Sequence, residues 1–188
     1  MADSPFGFRP LTNATGLVRM CVIPASDGTA TFIGDAVKLH GSEDTTDNAT
    51  TVIQAAAGNV IHGVIVGFEP DFTNLSNKHR LASTRRLCYI MPALADIEFE
   101  CQADGAMTAG DSGLYADIVV AAGSTTTGRS AMELAISTKS TTGQLQILRP
   151  SRTVGESFDT VLAGTRMVVS INESTFKTYG ATAINGSA

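Results

Sequence analysis

Apolar and polar residues alternate with period 2 along much of the chain, and this period predicts strands rather than helices. The alternation is cleanest over residues 96–103. There Ile97, Phe99 and Cys101 fall on one face, and Asp96, Glu98, Glu100 and Gln102 on the other, which predicts a half-buried strand with a wet acidic face. Within a second predicted strand, 59–69, Val60, His62, Val64, Val66 and Phe68 share one face. His62 therefore reads as a core or cross-strand residue rather than a ligand. Further strands are predicted at 17–24, 30–40 (with Gly34-Asp35 as a turn or bulge), 52–57, 87–92 and 166–174. The polar, acidic run GSEDTTDNATT at 41–51 reads as a surface loop, and 155–163 as one short helix ended by Gly164.

Residues 114–149 offer two incompatible patterns. Gly123-Ser124-Thr125-Thr126-Thr127-Gly128-Arg129-Ser130 matches a phosphate-binding loop, GxxxxGK[ST], at every fixed position except that Arg129 stands in place of the lysine. Arginine is a poor replacement for that compact ammonium, and the motif also needs a helix to follow. Instead Met132, Leu134 and Ile136 alternate with Glu133, Ala135 and Ser137, a turn follows at 139–143, and Leu145 and Ile147 resume the alternation. The expectation is a hairpin over 131–149, with 123–130 as a turn between strands. The whole pattern then amounts to about nine strands and at most one short helix. It predicts an all-β, single sandwich or barrel-like domain over 17–176, preceded by an extended N-terminal arm at 1–16 and followed by a loose tail at 177–188.

Composition narrows this picture. The 188 residues suffice to bury a core without staples, and with no Trp and few aromatics that core must be built from Val, Ile, Leu, Ala and Met. A net charge of −5 gives no global field for nucleic acid, so none is expected as a partner. The opening MADSPFGFRP lacks the basic-then-apolar pattern of a secretion signal, and no apolar run approaches a membrane span, so no membrane partner is expected. Cys21, Cys88 and Cys101 are odd in number and lack CxxC spacing; they read as buried thiols of a chain made in a reducing compartment, not as a metal site.

Three features remain as candidate chemistry. Gly110-Asp111-Ser112-Gly113 matches the nucleophile tetrapeptide of chymotrypsin-like proteases, but Leu114 replaces the next glycine. None of His40, His62 and His79 has the sequence context of the catalytic base. A serine hydrolase is thus a minor alternative, and a Gly-rich turn the simpler reading. The basic cluster Lys78, His79, Arg80, Arg85 and Arg86 lacks interleaved aromatics; it reads as a solvated loop or as a contact to an acidic protein partner. The arm carries Phe6, Phe8 and Arg9 between Pro5 and Pro10. Its two Phe side chains either fold back on the chain's own core or dock on a neighbouring subunit. No catalytic residue, cofactor or metal is expected.

Several segments, in consistent order over most of the chain, resemble the head decoration (cement) proteins of tailed bacteriophages. They are PFGFRP, Gly34-Asp35-Ala36-Val37, Gly63-Val64-Ile65-Val66-Gly67, the 96–104 strand and turn, Gly123-Ser124 leading to Gly128-Arg129-Ser130 and Glu133-Leu134, the 145–149 strand, and Ile171-Asn172-Glu173. The resemblance implies a non-enzymatic β-rich module, made in the bacterial host cytoplasm and carried on the outer capsid surface of the virion. There it would bind the major capsid protein and stabilise the shell as a homo-oligomer, a trimer favoured over a dimer. Phe6, Phe8 and Arg9 are then the expected docking residues of the arm, and Arg80, Arg85 and Arg86 a second surface toward the shell. A host- or carbohydrate-binding module on the virion surface is the alternative.

Overall fold

The computed structural model describes residues 4–11, 15–151 and 164–177. Within them the chain is nearly all-β, with no helix of seven residues or more. Twelve strands form a closed barrel, an open sheet and a short ribbon. The barrel comprises β2 (Arg19–Ile23), β3 (Ala36–Asp44), β4 (Ala49–Gln54), β5 (Gly63–Phe68) and β6 (Arg86–Pro92), in the order β2-β4-β3-β5-β6. All its pairings are antiparallel except the one that joins β2 to β4, where Val22 lies opposite Thr51. The sheet runs β1 (Arg9–Pro10), β7 (Glu98–Gln102), β12 (Arg166–Ile171), β11 (Leu145–Pro150) and β8 (Tyr115–Ala116), antiparallel throughout. The ribbon pairs β9 (Ile118–Val119) with β10 (Glu133–Leu134).

Two apolar clusters hold these layers. Cys21, Ile23, Val37, Val52, Ile65, Cys88 and Ile90 fill the barrel, whose narrow bore suits β-branched and small sulfur-bearing side chains. The larger cluster lies between the barrel wall and the sheet. Ala36, Val64 and Met91 enter it from the barrel, and Phe99, Cys101, Ile147 and Val169 from the sheet. Strands β5 and β6 are therefore buried on both faces where they pass between the layers, with Ile65, Cys88 and Ile90 inside the barrel and Val64 and Met91 against the sheet, while Tyr89 of β6 stays exposed. A strand covered on both sides reads as a continuous apolar run, which GVIVG is.

The departures from expectation are local. Twelve strands appear among the described residues rather than about nine because β1, β8 and β9 are two-residue ladders, too short for alternation to mark. The acidic run at 41–51 is not a free loop. Strand β3 continues to Asp44 and β4 begins at Ala49, with Glu43 opposite Thr50 and Asn48 taking a left-handed φ of 50°. The expected hairpin over 131–149 does not form: β10 pairs with β9, and β11 with β12 and β8, while Ile136–Thr138 make a 3-10 turn. The side-chain period was right for extended chain there, but period carries no information about which strand is the neighbour. The acidic face around β7 is wet only at its start, where Asp96 is exposed and Glu98 half-exposed; Glu100 is 1% exposed and Gln102 is also buried. The expected helix at 155–163 lies outside the described residues, as does the expected tail except for Lys177.

Candidate functional site

The N-terminal arm lies on its own chain. Phe8 is buried in the larger core, and its N–H donates to Gly34 O at 2.9 Å. Arg9 and Pro10 pair with Glu100 and Phe99 at the edge of the sheet. The Arg9 guanidinium forms an ion pair with the Glu100 carboxylate, which also accepts from the Ser151 hydroxyl. Arg9 and Arg166 both stand over the Phe6 ring, each 5.4 Å from its centroid. Glu100 is thus the buried anchor of the arm. Sequence reasoning placed it on a solvated face; the one available signal was a lone arginine in the arm, which needs an anion once the arm is laid down.

Beneath the arm, segments distant in sequence pack backbone to backbone. Gly7 has φ +74°, and a Cβ there would sit 2.5 Å from Ser130 Cβ and 2.6 Å from Gly34 O. Gly34 has φ +96°, and a Cβ on it would meet Phe6 O at 2.8 Å. Only glycine fits either place. Gly34 N–H donates to Ile65 O, Ile33 N–H to Gly128 O, and Ser130 N–H to Ile33 O. Residues 123–130 form the tight turn expected of them: Ser124 N–H donates to Arg129 O at 2.8 Å and Gly128 N–H to Ser124 O at 2.7 Å.

Asp35 lies at the centre of this knot, fully buried. Its Oδ2 accepts from Phe32 N–H at 2.9 Å and from Gln54 Nε2 at 3.0 Å, while Oδ1 makes no hydrogen bond of good geometry. Burial pushes its carboxyl up to about 6, offset in part by Ser130, Phe32 N–H and Gln54. Outside the knot, an open cleft of about 480 Å³ is lined by the arm residues Phe6, Phe8 and Pro10, by Ile33 and Val66, and at its rim by Arg9 and Arg129. Its walls are largely apolar, and of its two cations Arg9 is already paired with Glu100.

The basic cluster is dispersed. Arg80 is a correction to the expected partner surface, because its side chain is 0% exposed. Its Nε donates to Thr84 O, Nη1 to Asp27 Oδ2 and Thr29 O, and Nη2 to Pro24 O and Asp27 O, so five N–H groups meet five acceptors. Arg86 is half-buried and ties the carbonyls of Glu69, Asn77 and His79, with Phe68 under its guanidinium. Lys78 Nζ donates to Thr126 O, and His79 stacks on Phe32 with ring centroids 4.8 Å apart. Arg85 remains at the surface, paired with Asp44 and Asp47 of the β3–β4 turn, and it holds the Asp44 carboxyl down to about 2.

The remaining candidates separate from one another. Asp111, beside Ser112, pairs with Lys139 Nζ at 2.8 Å and accepts from Thr108 N–H. His40 Nδ1 bonds Ser42, and His62 Nδ1 bonds Thr175 at 2.8 Å with Phe176 against its ring. Among the described residues no histidine is hydrogen-bonded to Ser112. Comparison of the chain with family models, curated proteins and solved structures gave no significant match.

Proposed function

We propose that the protein is a non-enzymatic decoration protein of a tailed-phage head. In this reading it binds the major capsid protein on the outer surface of the virion and stabilises the shell, as a homo-oligomer with a trimer favoured over a dimer. One observation carries the proposal beyond a string of short sequence likenesses. PFGFRP, Gly34-Asp35-Ala36-Val37, GVIVG and the 123–130 turn are separated by tens of residues, yet they meet in one glycine-packed knot. Chance matches in a chain rich in small residues have no reason to converge; parts of one inherited packing unit do.

A rigid, two-layered β-body with its arm fixed by an ion pair and a buried Phe also suits a module that must hold its shape against a strained shell. Symmetric oligomers add the further advantage of multiplying weak contacts. The test is the particle. DNA-filled heads purified from infected cells should carry this chain in near-stoichiometric ratio to the major capsid protein, and heads lacking it should release DNA at lower temperature. A handful of copies per head, or its absence from heads, would overturn the proposal.

A further inference from the structure

After β12 the chain leaves the sheet and crosses to the barrel, where residues 173–177 meet the segment that leads into β5. Ile61 N–H donates to Glu173 O at 2.8 Å and Thr175 N–H to Ile61 O at 3.1 Å, a parallel bridge between Ile61 and Ser174. The Ser174 hydroxyl donates to Ala93 O, just past β6, and accepts from Phe176 N–H at 3.0 Å. Phe176 packs against the larger core. This strap therefore ties the end of the sheet to the ends of two barrel strands.

His62 is buried beneath the strap. Its Nδ1 is hydrogen-bonded to Thr175 Oγ1 at 2.8 Å, and its ring centroid lies 4.7 Å from that of Phe176. Arg19 of β2 stands over the same Phe176 ring, 4.7 Å from its centroid. Of the other elements around His62, β3 brings Lys38, next to the Val37 carbonyl that accepts from His62 N–H, and the strap brings Glu173 and Lys177. The ends of β5 and β6, at Gly63 and Met91–Ala93, bring no charge. Lys177 Nζ donates to Asn172 Oδ1 at 2.7 Å, and among the described residues no hydrogen bond or ion pair joins His62 to a carboxylate. A proton on this ring would place a second cation beside Phe176, in a buried position with no carboxylate bonded to it. We infer that residues 173–177 are an acid-released strap, closed over the barrel while His62 is neutral and opened when it is protonated. Opening uncovers Ile61, Ala93 and the Phe176 ring. Burial, and after it the Arg19 cation, hold the imidazole below its ordinary 6.5 in the closed state. The closed strap thus binds the proton more weakly than the open one, so closure is at full strength above about pH 7 and weakens as pH falls through 6.5. The inference does not depend on the proposed function.

The test is amide hydrogen exchange of the purified full chain, read by NMR at pH 7.5 and 5.5 and corrected for the intrinsic exchange rate. Protection of the Ile61, Thr175 and Phe176 amides should fall at the lower pH, by up to about tenfold, in step with the titration of the His62 ring. The β12 amides should keep their protection, which separates strap opening from global acid unfolding. His62→Asn retains a polar side chain for Thr175 but cannot titrate, and its strap protection should be the same at both pH values. Arg19→Gln keeps the imidazole and removes the neighbouring cation; it should raise the pH at which His62 titrates and shrink the loss of protection between the two conditions. Strap protection that does not change with pH in the wild type would overturn the inference. So would a loss that is equally large in His62→Asn, or one that the β12 amides share. If His62→Asn does not fold, Arg19→Gln decides: a loss of protection no smaller than that of the wild type would overturn the inference.

Discussion

Asp35 is held in the folded chain with its carboxyl pushed up to about 6 from an ordinary 3.8, by burial. A raised carboxyl means that the folded state keeps a proton which the unfolded chain releases between those two values. Its contribution to stability is therefore present below about pH 4 and is lost as pH rises through about 6. Relative to Asp35→Asn, the wild type should lose about 2 kcal/mol between pH 4.5 and 7.5, at 1.36 kcal/mol for each pKa unit and with the unfolded carboxyl already mostly ionised at the lower pH. Urea unfolding of both proteins at the two pH values measures this, and a difference that does not change with pH would refute it. Arg80 and Arg85 make a second comparison at this scale, since they are neighbours in one basic run but opposites in setting. Arg80→Ala removes a fully buried guanidinium and leaves Asp27 and four carbonyls without their donor, and should cost about 3 kcal/mol. Arg85→Ala removes a surface pair, and should barely move the urea midpoint. Equal effects of the two would show that burial is not what separates them.

Among the elements, the arm is the one whose role the structure changes. Phe8 belongs to the core and Arg9 to the Glu100 carboxylate, so removal of residues 1–10 would unsettle the fold as well as any contact with a shell. Phe8→Ala should accordingly destabilise the isolated protein by about 3–5 kcal/mol in urea unfolding; a loss below about 1 kcal/mol would mean that the arm is only laid on the surface. The arm also shows what the sequence makes legible and what it hides. Strands β2, β5, β6, β7 and β12 are visible because each spans five or more residues, long enough for an apolar run or a period-2 alternation to mark it. The turn at 123–130 is visible because no helical period follows it. Pairing partners are not visible: nothing in Met132-Glu133-Leu134 says that Ile118–Val119, rather than 145–149, lies beside it. Burial of the second face is hidden for a related reason. Glu98, Glu100 and Gln102 look alike in an alternating strand, and only the arriving arm makes Glu100 an interior anchor. Within the basic cluster the same loss occurs, because Arg80 gains four of its five acceptors from a loop some fifty residues upstream.

For the molecule as a whole, the decisive feature is that the barrel and the sheet share one core. The barrel has its own small interior, yet Ala36, Val64 and Met91 of its wall pack in the same cluster as Phe99, Cys101 and Val169 of the sheet. Separating the layers would expose that cluster on both, at a cost that grows with every apolar square ångström uncovered. The two should therefore unfold in one step. The cysteines provide a reporter in each layer. Cys21 and Cys88 lie inside the barrel and Cys101 in the shared core, all three free and buried. Burial pushes the Cys21 thiol up to about 11 and the other two higher still, so the reactive thiolate is scarce as well as inaccessible in the folded chain. None should react with a thiol-specific disulfide reagent at neutral pH before unfolding. With increasing urea, all three should become labelled at the same concentration, coincident with the loss of β-structure by circular dichroism. If Cys101 were labelled at lower urea than Cys21 and Cys88, the sheet would be peeling from a barrel stable by itself, and the shared core would contribute less than its burial implies.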